Sequence, residues 1–341
     1  MNVPDTPAPS PWHAGELAVQ ARVGVVERMD AVGRRVVRKF MPDQHRTFFA
    51  QLPFMVVGSV DHDGWPWASI LTGPPGFVTS PDPTTLRVAA RPAPDDPLSA
   101  VLALGCPIAF LGIELPTRRR NRMNGHVVAM DAAGFCVSVE QSFGNCAQYI
   151  QVRDYPAGMA LPQLRARAER FSELGARARD VIARCDTSFV ASCAPRDGKT
   201  DQWSVDVSHR GGGPGFMRFA PDGAIVIPDY HGNSFFNTLG NLSLNSRCGL
   251  LFIDFSTGDL LLLVGTAEIV WEGDAIGELP GAERLWRVKP IHGMWVPRVL
   301  PAGFRRREAP AHAINNGEQA GTAAPRQVQA PARLLEEPRT H

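Results

Sequence analysis

Gly73-Pro74-Pro75-Gly76-Phe77 and Gly212-Gly213-Pro214-Gly215-Phe216 read as one turn written twice. Other landmarks recur around them in the same order. Ile113-Glu114-Leu115 answers Ile253-Asp254-Phe255, Gly125 answers Gly265, and the pair Leu102/Leu104 answers Leu242/Leu244. Upstream, Asp63-Gly64 followed by Trp67 answers Asp197-Gly198 followed by Trp203. The offset stays within about 134 to 140 residues across all of them. Solenoid periods are roughly 20–50 residues, so the repeating unit here is a whole domain. Two like domains in one chain can pack as a covalent pseudo-dimer, and a site on their two-fold interface can then survive in a single asymmetric copy.

A chain of 341 residues fits two domains at about 150 residues each. The repeat places an N-terminal helical segment at 1–44, a first domain at 45–155, a helix plus the second domain at 156–300, and a tail at 301–341. A net charge of +1 gives no general attraction for nucleic acid or an anionic membrane. The basic residues are nearly all arginine, with lysine only at 39, 199 and 289. That bias fits a GC-rich genome, and it fits a phosphate clamp in which a planar fork outperforms an ammonium. The six cysteines form no CxxC pair and no zinc or ferredoxin spacing, so they read as free, small hydrophobes. The start lacks a basic segment and an apolar core, and no apolar run reaches 18 residues. A reduced, cytoplasmic protein is the expectation.

Periodicity fills in the repeat. Glu16 to Phe40 carries apolar residues at helical spacing, Pro42 ends that pattern, and Asp43 is placed to cap a helix running to Leu52. Strand signals follow at Phe54–Val57, Trp67–Leu71 and Leu86–Ala90, then a short helix at 97–104 and a strand at Ile108–Leu115. Asp63-Gly64 between apolar runs is a hairpin cue, because the turn needs positive φ at its centre. The second half repeats the order. A helical pattern runs from Leu161 to Cys185, followed by strands at 188–194, 203–209, 216–219 and 224–228. A helix at 235–244 precedes strands at 248–255 and 259–271. Short strands, tight turns and one short helix per unit predict a small antiparallel barrel, mainly β with flanking helices. Residues 1–14 are Pro-rich and read as loose; the tail from about Arg305 is poor in large apolar residues and reads as disordered.

Three stretches carry chemistry. In the first, Ser204 to Phe216, a strand delivers Asp206, Ser208 and Arg210 to one face, with His209 between them and Gly211, Gly212 and Gly213 following. A hydroxyl, an arginine fork and bare backbone amides suit a phosphate monoester; a solvated glycine-rich hairpin loop is the alternative. The stretch has neither a Walker ending nor a Rossmann fingerprint. The second, Pro228-Asp229-Tyr230-His231-Gly232-Asn233, leads into a helix on which Asn233, Asn237 and Asn241 fall four residues apart, on one face if the helix starts that early. Asparagine is a poor helix-interior residue, so three on one face suggest hydrogen-bonding work, and a helix N-terminus is itself an anion site. The third, Arg118-Arg119-Arg120-Asn121-Arg122, replaces Ser256-Thr257-Gly258-Asp259 of the other unit and makes the duplicates electrically unequal. It is a solvated basic turn, or it reaches an anion held by the second unit. His209 is the one histidine expected near a ligand; His13, His62, His126 and His292 read as surface or satisfied residues. No HExxH, Gly-x-Ser-x-Gly or Ser/His/Asp motif appears, and no metal site is expected.

Val205-Asp206-Val207-Ser208-His209-Arg210-Gly211-Gly212, Pro214-Gly215-Phe216, Ile227-Pro228-Asp229 with Gly232-Asn233, and Asn241 through Leu250-Leu251-Phe252 together resemble the pyridoxamine 5'-phosphate oxidase-like family. The likeness is nearer to its branch of flavin-nucleotide-binding proteins. Glu114-Leu115-Pro116-Thr117 through Arg122-Met123-Asn124-Gly125, and Ser10-Pro11-Trp12-His13-Ala14-Gly15-Glu16, are similar to a two-barrel form of it. Over residues 10–295 the resemblance implies tandem split β-barrels forming a pseudo-dimer, with FMN at their interface. Carried over, it implies Ser208, His209, Arg210 and Gly211 at the phosphate, and Pro228, Asp229, Asn233, Asn237 and Asn241 on the ribityl or ring side. Arg119, Arg120 and Arg122 would approach from the first barrel. Asn233-Ser234-Phe235 stands where the oxidase has Ser-Arg-Lys, which argues against vitamin B6 oxidation. The resemblance thus implies an FMN-dependent oxidoreductase working on a small-molecule substrate or with an electron donor such as a separate reductase, and forming a possible homodimer. A flavin store or sensor, and a barrel binding haem (through His209 or Tyr230) or a deazaflavin, are the competing readings.

Overall fold

Each repeat becomes one antiparallel sheet, and the two sheets are threaded alike. The computed structural model describes residues 10–156, 167–196 and 198–307. Three helices lead in: α1 (Ala14–Arg22), α2 (Val26–Val36) and α3 (Asp43–Ala50). The first repeat holds β1 (Phe54–Val60), β2 (Pro66–Thr72), β3 (Val78–Asp82), β4 (Thr85–Val88), α4 (Pro97–Val101), β5 (Pro107–Glu114), β6 (Arg119–Asp131) and β7 (Gly134–Gly144). β8 (Arg153–Asp154), β9 (Glu169–Phe171) and α5 (Ala176–Arg184) connect it to the second. That repeat holds β10 (Thr187–Arg196), β11 (Lys199–Gly211), β12 (Arg218–Phe219), β13 (Ile225–Tyr230), α6 (Asn237–Leu244), β14 (Arg247–Asp254), β15 (Asp259–Val270), α7 (Asp274–Gly277) and β16 (Ala282–Val296). β17 (Arg305–Arg306) follows. The strand order is β2-β1-β5-β6-β7-β4-β3 in one sheet and β11-β10-β14-β15-β16-β13-β12 in the other, the same path strand for strand. Register agrees as well: Val56 pairs with Ile70 and Leu111, as Phe189 pairs with His209 and Leu251.

Strand alternation then explains how the barrels join. Successive side chains on a strand point to opposite faces, and β1 is buried on both. Met55 and Val57 enter the core of the first barrel, while Phe54, Val56 and Val60 enter a core shared with the second. β5 divides likewise: Ile108 and Phe110 face inward, Ala109, Leu111 and Ile113 toward the partner. From the second barrel, Phe189, Ala191 and Cys193 of β10 join the shared core and Val190 its own. Gly249 marks a close approach, since a Cβ there would stand 2.2 Å from the Pro66 carbonyl oxygen. The tandem barrels therefore pack through a continuous apolar layer, as a pseudo-dimer does.

Several local expectations are corrected. The helix expected over Glu16–Phe40 is two, because Gly24 takes φ +71° between α1 and α2. Pro42, not Asp43, occupies the N-cap of α3, and Asp43 pairs with Arg46. Of the helix expected at Leu161–Cys185, α5 is the helical part; Glu169–Phe171 is a strand paired to β16, and 157–166 lie outside the described residues, as does Asp197 of the second hairpin turn. The chain keeps its structure past 300: Leu300 and Phe304 are buried in the shared core and β17 pairs with β8, because these apolar side chains close the end of that layer. The rest of the expected tail, 308–341, and the first nine residues of the Pro-rich start lie outside the described residues. Trp12 is buried with Met29, Phe143 and Phe235, which fastens the lead-in helices to both repeats. No described helix is long and apolar enough to cross a membrane.

Candidate cofactor cleft at the barrel seam

Where β11 and β13 end, the two barrels part and leave a cleft of about 950 Å³, open mouth included. The second barrel contributes Ser208 to Gly211, Pro228 to Ser234, and Phe236 to Leu239 at the start of α6. The first contributes Leu111, Arg120, Arg122 and the segment Asn145 to Tyr149 after β7. Tyr149 and Tyr230 stack across the seam at 5.0 Å, and the Tyr149 hydroxyl donates to the His231 carbonyl (2.9 Å).

The walls are cationic. Arg122 is buried and bridges the barrels, donating from Nη1 to Asp206 (2.8 Å) and from Nη2 to the Ser208 hydroxyl. Arg210 lies 3.3 Å from Asp229, whose other oxygen accepts from Arg284 at 2.8 Å. Burial pushes the Asp229 carboxyl up, against the pull of these two guanidinium groups. Arg120 donates from Nε to the Cys146 carbonyl (2.6 Å), and its Nη1 meets His209 Nδ1 at 3.0 Å. No carboxylate among the described residues pairs with it. Burial, reinforced by Arg122 and Arg210, lowers its guanidinium to about 10. A guanidinium only donates, so His209 Nδ1 is the acceptor and Nε2 carries the hydrogen. Burial and then Arg120, Arg210 and Arg153 push the imidazole well below its ordinary value, so His209 is neutral.

Several buried donors in this wall have no partner: His209 Nε2, Arg210 Nε, Arg122 Nε and the Thr238 hydroxyl. Buried polar groups are normally satisfied, so a cluster of orphans on residues that line one cleft points to a ligand. The loop into α6 adds to it. Ser234 and Phe236 both adopt φ +60°, a conformation rare for non-glycine residues and typical of functional sites. Asn233 turns back to accept from the Phe235 amide, and no side chain caps α6. Its first amides are left facing the cleft beside Thr238, which favours an anion.

Beneath α6 lies a buried polar floor. Asp206 accepts from Arg122, Asn124 and Asn241. Asn241 also donates to Ser192 (2.9 Å) and meets His13 Nε2 at 2.8 Å. His13 caps α1 through Nδ1, while Glu16 accepts from the His13 amide and from Asn237 (2.5 Å). The helices cross at two glycines: a Cβ on Gly15 would stand 2.1 Å from the Gly240 carbonyl oxygen. Burial first, and the Asp206 charge second, raise the Glu16 carboxyl to about 8.

The described residues at the equivalent positions on the other side of the pseudo-axis are of different chemistry. The registers equate His209 and Arg210 with Ile70 and Leu71, and Arg120, Arg122 and Asn124 with Leu260, Leu262 and Val264. Leu260, Leu262 and Val264 are packed into the shared core. The helix equivalent to α6, α4, is capped by Asp96, which accepts from the Leu98 amide and the Ser69 hydroxyl. Leucine stands where the other copy has arginine and the helix end is capped, so these described residues do not repeat the cationic wall.

Of the twelve residues singled out in the sequence, Ser208, His209, Arg210, Gly211, Pro228, Asp229, Asn233, Asn237, Arg120 and Arg122 line the cleft. Asn241 lies in the floor, and Asn233 precedes α6 rather than sharing its face. Arg119 points the other way, over the Phe48 ring, because alternation on β6 puts 120 and 122 on the opposite face. His13, expected to be a surface or satisfied residue, is the second: half-buried, it caps α1 and meets Asn241. Thr238, Tyr149, Glu16 and Asn124 were missed, and Tyr230 was named only for the haem reading. Tyrosine and threonine read as ordinary strand and helix residues, and a lone Glu in a helical pattern reads as solvated.

Residues 41–171, which hold the first barrel, match the family model described as pyridoxamine 5'-phosphate oxidase. The first barrel is thus of the pyridoxamine 5'-phosphate oxidase-like type, and the second follows the same strand path. No curated protein matches the chain in sequence. Among solved structures it is similar to HupZ of Group A Streptococcus (17% identity, 38% of this chain and 100% of that one, TM-score 0.29). HutZ, a heme storage protein from Vibrio cholerae, gives 16% identity over 36% of this chain and 92% of its own, with a TM-score of 0.26. The conserved hypothetical protein Rv2991 from Mycobacterium tuberculosis gives 16% over 47% and 99%, with a TM-score of 0.27.

Proposed function

We propose that this cleft binds FMN and that the protein is a flavin-dependent oxidoreductase, acting on a small-molecule substrate or with a separate electron donor. The observation that carries the reading is the set of buried, unpartnered donors beside the open end of α6, which suits a phosphate. Arg210, Ser208, Thr238 and the first amides of α6 hold the phosphate. Asn237, Asp229 and Pro228 line the ribityl side. Arg120, Arg122 and Tyr149 close the cleft from the first barrel and keep water from the ring. Neutral His209 offers Nε2–H to a ligand acceptor. Bound there, FMN supplies hydride or single-electron transfer; the chain supplies anchoring, orientation and a cationic field.

The haem name on one structural relative belongs to that protein. Here, iron ligation by His209 Nε2 needs that nitrogen bare, whereas the Arg120 contact at Nδ1 keeps it protonated. Absorption of the purified protein separates the readings. Flavin bands, with FMN released on denaturation, support the proposal; a Soret band, or no uptake of added FMN, overturns it. Bleaching of the bands by a nicotinamide reductant and return of colour in air distinguish an enzyme from a store.

A further inference from the structure

Glu16 is the one carboxyl that the cleft residues do not explain. It comes from the lead-in helix α1, is buried under α6, and shares Asn237 with the cleft wall. The groups facing it can be named from each element. Beside α1 stands His13, held by Asn241; β11 presents Asp206; β6 presents Arg122; α6 presents only the neutral Asn237 and Asn241. Arg122 thus pairs with Asp206 and reaches Glu16 only through its charge, and the same guanidinium donates to Ser208 in the cleft wall. An anion in the cleft draws on Arg122 and adds negative charge above the same floor. Both effects favour the neutral form of Glu16.

We propose that Glu16 is a proton-binding positioning residue, so that an anionic ligand entering the cleft takes up a proton at this carboxyl and binds more weakly once it is ionised. This deepens the FMN reading and rests on it. The coupling is reciprocal: whatever occupancy does to the proton affinity of Glu16, the proton does to the affinity of the ligand. Neutral Glu16 still accepts from Asn237 and the His13 amide, keeping the Asn237 amide turned to the floor. Ionised Glu16 adds an unbalanced charge beside Asp206 and pulls Arg122 from the cleft. The elevated carboxyl of Glu16, near 8, places the transition in an accessible range.

The test is titration of the full-length protein with FMN, by fluorescence quenching and by calorimetry in two buffers of different ionisation enthalpy. From about pH 7 to about pH 9.5 the parent should lose roughly five- to tenfold in affinity, as for a one-unit shift of the carboxyl on binding. At about pH 8 it should take up a fraction of a proton. Glu16→Gln should bind with less than about a twofold change over the same range and without that uptake. Asp206→Asn removes the competing carboxylate, so its loss of affinity should begin at lower pH; this serves if Glu16→Gln folds poorly. Equal pH profiles in parent and Glu16→Gln, with FMN bound by both, overturn the role of Glu16 and leave the cleft assignment standing. Absence of FMN binding at every pH overturns both.

Discussion

Replacing Arg210 by alanine isolates the phosphate assignment from the stability of the fold. Arg210 approaches Asp229 at 3.3 Å, whereas Arg284 holds the other oxygen of that carboxylate at 2.8 Å. Asp229 therefore keeps a cation when Arg210 is removed, and the barrel should remain intact. The unpartnered Arg210 Nε and its half-paired fork are what a phosphate loses. A hydrogen bond to a charged group contributes about 1.5–3 kcal/mol, so FMN affinity should fall by roughly 10- to 150-fold. The assay is quenching of flavin fluorescence on titration with apoprotein, beside a urea melt of both proteins. An affinity within about twofold of the parent, with an unchanged melt, refutes the placement of the phosphate at Arg210.

Glu16 also predicts a pH dependence of stability. Its carboxyl stands near 8 when folded against an ordinary 4.5, so its stabilising effect is present below pH 4.5 and lost as pH rises toward 8. The loss is on the order of 5 kcal/mol, and Glu16→Gln should flatten it in urea melts; parallel profiles contradict the assignment. Arg122→Leu leaves Asp206 buried without its cation and should cost about 3–5 kcal/mol, with much of it recovered by adding Asp206→Asn, as denaturant melts of the three variants check. Gly249→Ala drives a methyl into the Pro66 carbonyl across the seam and should destabilise by about 1–3 kcal/mol; an unchanged melt would mean that the barrels do not meet there.

Much of the architecture was legible because a duplicated turn survives duplication of everything around it. The two Gly-Pro-Gly-Phe turns lie at equivalent places in identical strand paths. Alternation placed Asp206, Ser208 and Arg210 on one face, and the same rule applied to Arg119-Arg120-Asn121-Arg122 separates Arg119 from the cleft. The break at Gly24 was not read from the pattern, because Gly33 of the same stretch lies within α2. The polar floor was not legible. Glu16, Asn237, Asn241 and Asp206 are up to 225 residues apart, and only the crossing at Gly15 and Gly240 brings them together. Nor does periodicity distinguish a buried glutamate from a solvated one. The different chemistry of the two copies was half visible: arginines present in one hairpin and missing from the other were plain, but the capping of α4 by Asp96 needed coordinates.

The most direct measurement is a crystal structure of the protein grown with FMN. One flavin per chain should lie at the seam, its phosphate against Ser208, Arg210 and the first turn of α6, with Arg120 and Arg122 reaching it from the first barrel. Density for the flavin elsewhere, two flavins per chain, or barrels packed with β11 turned from their junction would contradict the account.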